Sequence, residues 1–167
     1  MKRKVLIFTI LILLGGVLFC AMYSFPKAID VSYPAVEFRT GDASPAQKTA
    51  LHIKGSLRRP LFRNQVFHGD ITAEKYDYSK YEMADIEFYP EIRNGWGNIT
   101  YYDWKPSGFG FGSIWKKGSF DSVKILLYEP IGPEAGGGMS KNLQIIAPAE
   151  DYEAAAELSA EVFSNNQ

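Results

Sequence analysis

The sequence predicts a mainly β protein: an antiparallel β-sandwich or small barrel of about seven to eight strands with a C-terminal amphipathic helix, preceded by an N-terminal transmembrane helix. Three patterns in the 167 residues indicate this fold class. From Ala50 onward, apolar and polar residues mostly alternate, as they do in half-buried strands. Residues 5–23 form an apolar run without a charged side chain, and the last twenty residues change to a helical period.

The apolar run at residues 5–23 is long enough to cross a membrane. At about 1.5 Å per residue, a helix of this length nearly covers a hydrocarbon core of ~30 Å. The apolar region of a secretory signal is shorter, about 7–15 residues, and ends at small residues spaced A-x-A, whereas Met22 and Tyr23 end this one. The sequence therefore favours a retained signal-anchor over a cleaved signal. A lipoprotein at Cys20, which Phe19 precedes, is the third alternative.

The charges that flank this run predict its orientation. Three basic residues lie within residues 1–4, while only Lys27 follows the run closely. The positive-inside rule then places the N-terminus in the cytoplasm and everything after the run outside it. We therefore expect a single-pass protein of the cell membrane, with residues 24–49 as a stalk or linker and residues 50–167 as an extracytoplasmic β-rich domain. Within the stalk, residues 36–39 are expected to form one early strand at a sheet edge, since Pro34 cannot donate to a ladder.

The composition of the exported part excludes several classes of function. Three of the 18 Lys and Arg residues precede the apolar run, which leaves 15 against 19 Asp and Glu, a net charge of −4. Nucleic-acid binding needs a concentrated basic surface, so this balance argues against it. Cys20 lies in the apolar run and is the only cysteine, so the exported part has no disulfide and no thiolate ligand. The sequence predicts no cofactor.

The strands and the last helix follow from periodicity. Residues 51–58 and 66–74 both alternate and predict a hairpin, with Phe67, Gly69 and Ile71 on the inward face of its second strand. Further strands are expected around residues 84–89, 98–104, 107–115, 119–130 and 142–147. In the final segment an apolar stripe at helical spacing consists of Tyr152, Ala155, Leu158, Val162 and Phe163.

An aromatic cluster in the middle of the chain is the leading candidate for a binding surface. Trp96, Tyr101, Tyr102 and Trp104 are flanked by Gly, Asn and Asp, and aromatic rings supply a large contact area with few rotatable bonds. The alternative is that these residues form the core, because aromatic residues favour strands. The neighbours Tyr101 and Tyr102 must point to opposite faces of a strand, so one of them should avoid the core.

A basic cluster surrounds the predicted hairpin turn. Arg58, Arg59 and Arg63 are suited to bind an anionic wall polymer, phospholipid headgroups or an acidic partner. The alternative is a solvated turn whose arginines form ion pairs with Asp85 or Glu87, each worth about 0–1 kcal/mol.

The two histidines give the one metal-like set in the exported part. If the hairpin pairs with an even residue sum, His52, His68 and Asp70 share one face and suggest a metal-assisted hydrolase. Alternation points the apolar residues inward, however, and so sends these three side chains toward water. We expect no metal there by preference and keep the hydrolase as the alternative function.

The layout also resembles a family. The basic start, the single apolar run, the hairpin with Phe67, Gly69 and Ile71, and the helix that begins with residues 147–155 are similar to small, uncharacterised membrane-anchored exported proteins of Gram-positive bacteria. The resemblance implies the location and a β-rich fold, and it implies no activity. The expected function is that of a binding or accessory module of the cell envelope, with an envelope protein, a wall polymer or a peptide as partner.

Overall fold

A computed structural model describes residues 2–92, 94–102, 108–129 and 138–163, without the side chains of residues 43–45 and 138–141. Over these residues the protein is mainly β, with one curled antiparallel sheet in the shape of a half-barrel, an N-terminal apolar helix and a short C-terminal helix. The predicted fold class is confirmed, and the sheet takes the barrel-like form.

The described residues form the α-helices and strands α1 (Lys2–Met22), β1 (Lys27–Arg39), β2 (Asp42–Arg58), β3 (Gln65–Ala73), β4 (Glu82–Met83), β5 (Ile86–Phe88), β6 (Gly97–Tyr102), β7 (Phe109–Lys117), β8 (Ser122–Glu129), β9 (Gly138–Ala147) and α2 (Tyr152–Phe163). A short 3₁₀ helix, Asp77–Lys80, follows β3. Over these residues the nine strands form one sheet in the order β4-β6-β7-β8-β9-β1-β2-β3-β5.

Helix α1 is long and apolar enough to cross a membrane, with a mean hydropathy of 2.8 over its best 18-residue window. All but one of its residues are exposed, and none of them is buried by the rest of the protein. A signal sequence near an N-terminus can meet the same criterion of length and hydropathy, so α1 is a candidate membrane span.

The segment at residues 24–49, predicted as a stalk with one early strand at residues 36–39, joins the sheet from Lys27 onward. Strand β1 pairs with β2 along nearly its whole length, and its last four residues, 36–39, also pair with β9. Pro34 lies just before that second pairing begins, where its missing N–H interrupts no ladder. The alternating residues of β1 bury Ile29 and Ala35 in the core, and this burial holds the segment in the sheet.

The main core fills the concave face of the curled sheet. Leu51, Ile53 and Leu57 from β2 meet Phe67 and Ile71 from β3 there, as the predicted hairpin requires. All five side chains are fully buried. At about 25 cal/mol per Å² of apolar surface, each contributes about 1.5–3 kcal/mol to folding. The hairpin prediction is confirmed in its pairing and in its inward face.

Gly55 and Gly69 lie opposite each other in the middle of this hairpin. Gly69 has a φ of +147°, in the region that L side chains rarely adopt, and its Cα approaches the β2 backbone so closely that a Cβ would overlap Lys54. The ring of Phe67 lies over the space that a side chain at Gly55 would need. The two glycines therefore let the hairpin bend into the half-barrel.

The convex face carries a second, smaller core beneath α2. Val36, Phe38 and Ile146 from the sheet pack with Ala149 and Ala155. The stripe predicted from the sequence faces this core. The helix begins where the Asp151 carboxylate accepts a hydrogen bond from the Ala154 N–H at 2.9 Å, which is N-cap geometry.

One end of the concave face is closed by a buried carboxylate. Glu37 is 5% exposed and accepts hydrogen bonds from the Lys75 ammonium at 2.5 Å and from the Tyr76 hydroxyl. Burial and the bond to Glu37 raise the pKa of Tyr76, so its hydroxyl stays protonated as a donor. This cluster joins β1 to the segment that follows β3.

Candidate ligand-binding cleft

The structure separates the residues of the predicted metal set. His52 lies opposite Thr72, and His68 lies opposite Ser56. Ser56, which marks the level of His68 on β2, is four residues from His52. The two histidines are therefore about 13 Å apart along the strand direction. Zinc ligands need metal–nitrogen distances of about 2.0–2.1 Å. Among the described residues, no three His, Cys, Asp or Glu side chains come close enough to hold a metal ion.

Each histidine instead has its own carboxylate on the solvent face. The His68 ring lies 2.6 Å from an oxygen of Asp85. The His52 ring lies between the Ser32 hydroxyl at 2.8 Å and Glu74 at 3.1 Å. The strand alternation explains this placement, since it directs these side chains away from the core. Asp70 is likewise exposed.

The predicted aromatic surface is divided between core and solvent. Tyr101 is fully buried and its hydroxyl donates to the Ile71 carbonyl, so its place in a binding surface was wrong. Its neighbour Tyr102 is 42% exposed, as the alternation requires. Trp96 is half-buried, stacks on Tyr89 and donates from its indole nitrogen to Ser113 at 2.8 Å. Trp104 lies outside the described residues.

The described part of the aromatic cluster therefore offers no continuous contact face. Phe109 and Phe111 pack against Tyr101 in the main core, and Trp115 is buried as well. Because the sheet curls, its concave face encloses a space that large rings fill. Tyr101 lies in that space and is therefore part of the core.

The three arginines of the predicted basic cluster lie together at the β2–β3 turn, at the end of α1. The Arg63 guanidinium donates to the Met22 carbonyl at 3.1 Å. The Arg59 backbone N–H donates to the Ser24 carbonyl at 2.6 Å. Asp85 pairs with His68, and Glu87 accepts from Asn64 at 2.8 Å. The turn is thus held to the end of α1.

The convex face holds a cleft that the sequence did not predict. It lies between α2 and the ends of β1, β8 and β9 and has a volume of about 280 Å³. We call it the α2 cleft. Its floor and rim are formed by Phe38, Thr40, Gly41, Lys124 and Gln144, and its helical wall by Tyr152, Ala156, Ser159, Ala160 and Phe163.

The register of the strands places the polar groups of the floor. Phe38 lies opposite Gln144, and Lys124 lies opposite Ile146 on the other side of β9. Gln144 and Ile146 are two residues apart on one strand, so Lys124 and Gln144 share the convex face. The Gln144 amide donates to the Thr40 hydroxyl at 3.1 Å, which holds the amide at the rim of the cleft.

Lys124 is the unusual residue of the α2 cleft. The residue is only 5% exposed, and among the described residues no hydrogen bond or ion pair reaches its ammonium nitrogen, which keeps contact with solvent. Loss of solvation lowers its pKa below the usual value of 10.5. A cation with reduced solvation and no counter-ion among the described side chains attracts an anion, so the site favours an anionic group that can enter the cleft.

Small side chains on α2 keep the α2 cleft open. Ala156 and Ala160 are four residues apart, and Ser159 lies between them, so all three lie on adjacent turns of one face. Phe38 and Tyr152 meet edge to face at 5.1 Å and give the cleft an apolar end. The arrangement presents an apolar wall on one side and an ammonium group on the other.

One signal in the sequence pointed to this site. Residues 122–129 read SVKILLYE, so Lys124 stands in an otherwise apolar strand, and the alternation gave it no polar face of its own. A lone lysine in such a run is either an edge residue or a buried cation, and deciding between them requires knowing that α2 covers it.

Lys116, a half-buried lysine outside the α2 cleft, gives a prediction for how the stability of the fold depends on pH. Burial and the nearby Arg59 lower its pKa to about 8, although its ammonium donates to Gln65 at 2.8 Å and lies over the Phe88 ring. Because the folded pKa lies below that of the unfolded chain, protonation disfavours the fold. The free energy of unfolding should therefore rise as pH increases from about 8 toward 10.

Denaturant titrations of the full chain at pH 7.5, 8.5 and 9.5 measure this rise. The Lys116→Met variant should reduce it, since that variant has no proton to release. An equal rise in both proteins would contradict the assignment to Lys116. The window ends near pH 10, above which tyrosines with raised pKa values, such as the half-buried Tyr78 at about 12, favour unfolding.

No protein-family model matches this chain, no curated protein matches its sequence, and no solved structure matches its fold. The α2 cleft and the basic turn are therefore interpreted from their own geometry and chemistry.

Proposed function

We propose that this protein is a membrane-anchored, extracytoplasmic binding module of the cell envelope, and that it holds a small apolar group bearing one acidic function in the α2 cleft. The observation that carries the proposal is Lys124, a largely buried residue on the floor of that cleft whose ammonium group has no hydrogen-bond or ion-pair partner among the described residues.

The membrane anchor is supported by the length and exposure of α1. Its 21 residues cover about 31 Å at helical rise, and the described part of the protein buries none of them. The basic residues at its start, with few after its end, favour a cytoplasmic N-terminus. The sheet and the α2 cleft then lie outside the cytoplasm.

The size of the α2 cleft limits its ligand. A cavity of about 150 Å³ holds one benzene molecule, so about 280 Å³ accommodates a ring or short chain with a carboxylate. The apolar part would lie against Phe38 and Tyr152, and the carboxylate would accept from Lys124. The carboxyl end of an apolar peptide and a free aromatic acid share this chemistry.

Lys124→Met tests the proposal. The full chain in lipid nanodiscs is titrated with phenylacetate and, as a neutral control, phenylacetamide, while amide chemical shifts of α2 and β8 are recorded. We expect saturable shifts with phenylacetate, at least tenfold weaker binding of the amide, and no saturable binding to Lys124→Met. The free variant should be as stable as the parent chain or more stable, because it removes an uncompensated buried charge.

A second variant tests whether the ligand binds in the α2 cleft, and it leaves Lys124 unchanged. Ala156→Leu fills the α2 cleft from its helical wall and should abolish binding while Lys124 remains. Binding that survives in both Lys124→Met and Ala156→Leu would show that the ligand lies elsewhere, and equal affinity for acid and amide would refute the role of the ammonium group.

A further inference from the structure

The β2–β3 turn combines features that the α2 cleft does not use. We call residues 58–64 the basic turn. Its tip exposes two large apolar side chains, with Leu61 59% and Phe62 74% exposed. Arginines flank the tip on both sides, at positions 58, 59 and 63. Apolar residues at a tip with cations behind them are typical of segments that lie in a membrane interface.

Hydrogen bonds hold the basic turn at the end of α1. Arg63 donates to the carbonyl of Met22, the last residue of the helix, and the Arg59 side chain reaches the Phe25 carbonyl at 3.5 Å. The last carbonyls of a helix lack partners within the helix, and a cation complements the dipole there. The contacts therefore fix the turn beside the point where α1 ends.

Aromatic residues lie at the same end of α1 as the basic turn. Tyr23 stacks on Phe19 at 5.2 Å between ring centroids and meets Phe25 edge to face at 4.9 Å. Tyrosine at the end of an apolar span is typical of the boundary between hydrocarbon and headgroups. If α1 spans the bilayer, this boundary lies at the height of the basic turn.

A small cleft lies between the basic turn and the chain that leaves α1. It has a volume of about 240 Å³ and is lined by Ser24, Arg58, Arg63, Asn64 and Glu87 among others. The Glu87 carboxylate already accepts from Asn64 at 2.8 Å and from the Tyr89 hydroxyl at 2.9 Å. Two arginines, Arg58 and Arg63, thus line a space large enough for a phosphate.

From these observations we infer that the basic turn is a second membrane contact, in which Leu61 and Phe62 enter the outer leaflet while Arg58 and Arg63 bind anionic lipid headgroups. The inference rests on the proposed membrane anchor and is independent of the α2 cleft. Together with α1, this contact would fix the orientation of the sheet on the membrane, because two points of attachment restrict rotation about the helix axis.

Site-directed spin labelling of the full chain tests this contact. In a Cys20→Ala background, single nitroxides are placed by Phe62→Cys, by Lys48→Cys and by Leu14→Cys, and the protein is reconstituted in nanodiscs of phosphatidylglycerol. Lys48 is the matched control, because it is exposed on β2 ten residues before Arg58, about 33 Å along the strand. Collision with oxygen and with a water-soluble nickel complex reports the depth of each label.

We expect the label at position 14 in the hydrocarbon, the label at position 62 just below the headgroups, and the label at position 48 in water. A label at position 62 that is as accessible to nickel as that at position 48, with position 14 buried, would overturn the second contact and leave the anchor standing. All three labels in water would overturn the anchor and this inference together.

The role of the arginines is measured with the same label at position 62. Arg58→Gln leaves the contacts of Arg59 and Arg63 with the end of α1 in place, and it should make the label at least twofold more accessible to nickel. Replacing phosphatidylglycerol with phosphatidylcholine should have the same effect. An unchanged accessibility in both cases would overturn the binding of anionic headgroups.

Discussion

The Gly69→Ala variant should lose about 3–5 kcal/mol of unfolding free energy. The added Cβ would overlap the Lys54 carbonyl and lie within 2.5 Å of the Gly55 Cα, so backbone must move. The φ of +147° adds strain for any L side chain. Equilibrium denaturation of the full chain measures the loss.

Gly41→Ala is the matched control for this prediction. Gly41 also has a positive φ, +80°, but a Cβ there would meet nothing within 4 Å. The Gly41→Ala variant should lose only about 1 kcal/mol of unfolding free energy, which is the cost of the backbone conformation alone. Equal losses at both glycines would show that the two strands of the hairpin do not approach each other as the structure describes.

Glu37→Ala should destabilise the fold by about 3 kcal/mol. The substitution removes the acceptor for the Lys75 ammonium and for the Tyr76 hydroxyl, and Tyr76 is itself buried. The hydroxyl would then be left in the core without its partner. Thermal and denaturant unfolding measure the loss, and Glu37→Gln, which keeps the volume and one acceptor, should lose less.

Asp77→Ala provides the comparison for Glu37. Asp77 accepts from Lys80 at 2.7 Å, but both side chains are exposed, so the pair contributes little to stability. A loss at Asp77 as large as that at Glu37 would contradict the view that burial gives the Glu37 cluster its importance.

Periodicity predicted the parts of the fold in which one face of each strand meets water. The β2–β3 hairpin and α2 follow from it, because their polar and apolar faces are distinct. For β1 it indicated only a short strand at residues 36–39, since the prolines of residues 24–49 suggested a stalk, whereas the strand runs from Lys27 to Arg39. Pro34 is tolerated because β9 pairs only with residues 36–39. That pairing is a long-range feature that no local pattern contains.

The candidate sites were harder to predict from the sequence. Aromatic residues such as Tyr101 have the same local pattern in a binding surface as in a core, and only the curl of the sheet decides between them. The α2 cleft joins residues 38–41, at the end of β1, to residues of β8, β9 and α2, which follow more than eighty positions later in the chain. The sequence shows Lys124 as a cation in an apolar run, but it does not show which side chains lie near the ammonium group.

The pKa of Lys124, measured in the full chain with and without phenylacetate, tests the binding site most directly. Labelling lysine with ¹⁵N allows its side-chain resonance to be followed as pH is raised. We predict a pKa below 10.5 in the free protein, because burial disfavours the ammonium, and a rise of at least one unit when the carboxylate binds. A Lys124 pKa that phenylacetate leaves unchanged would contradict the proposed site.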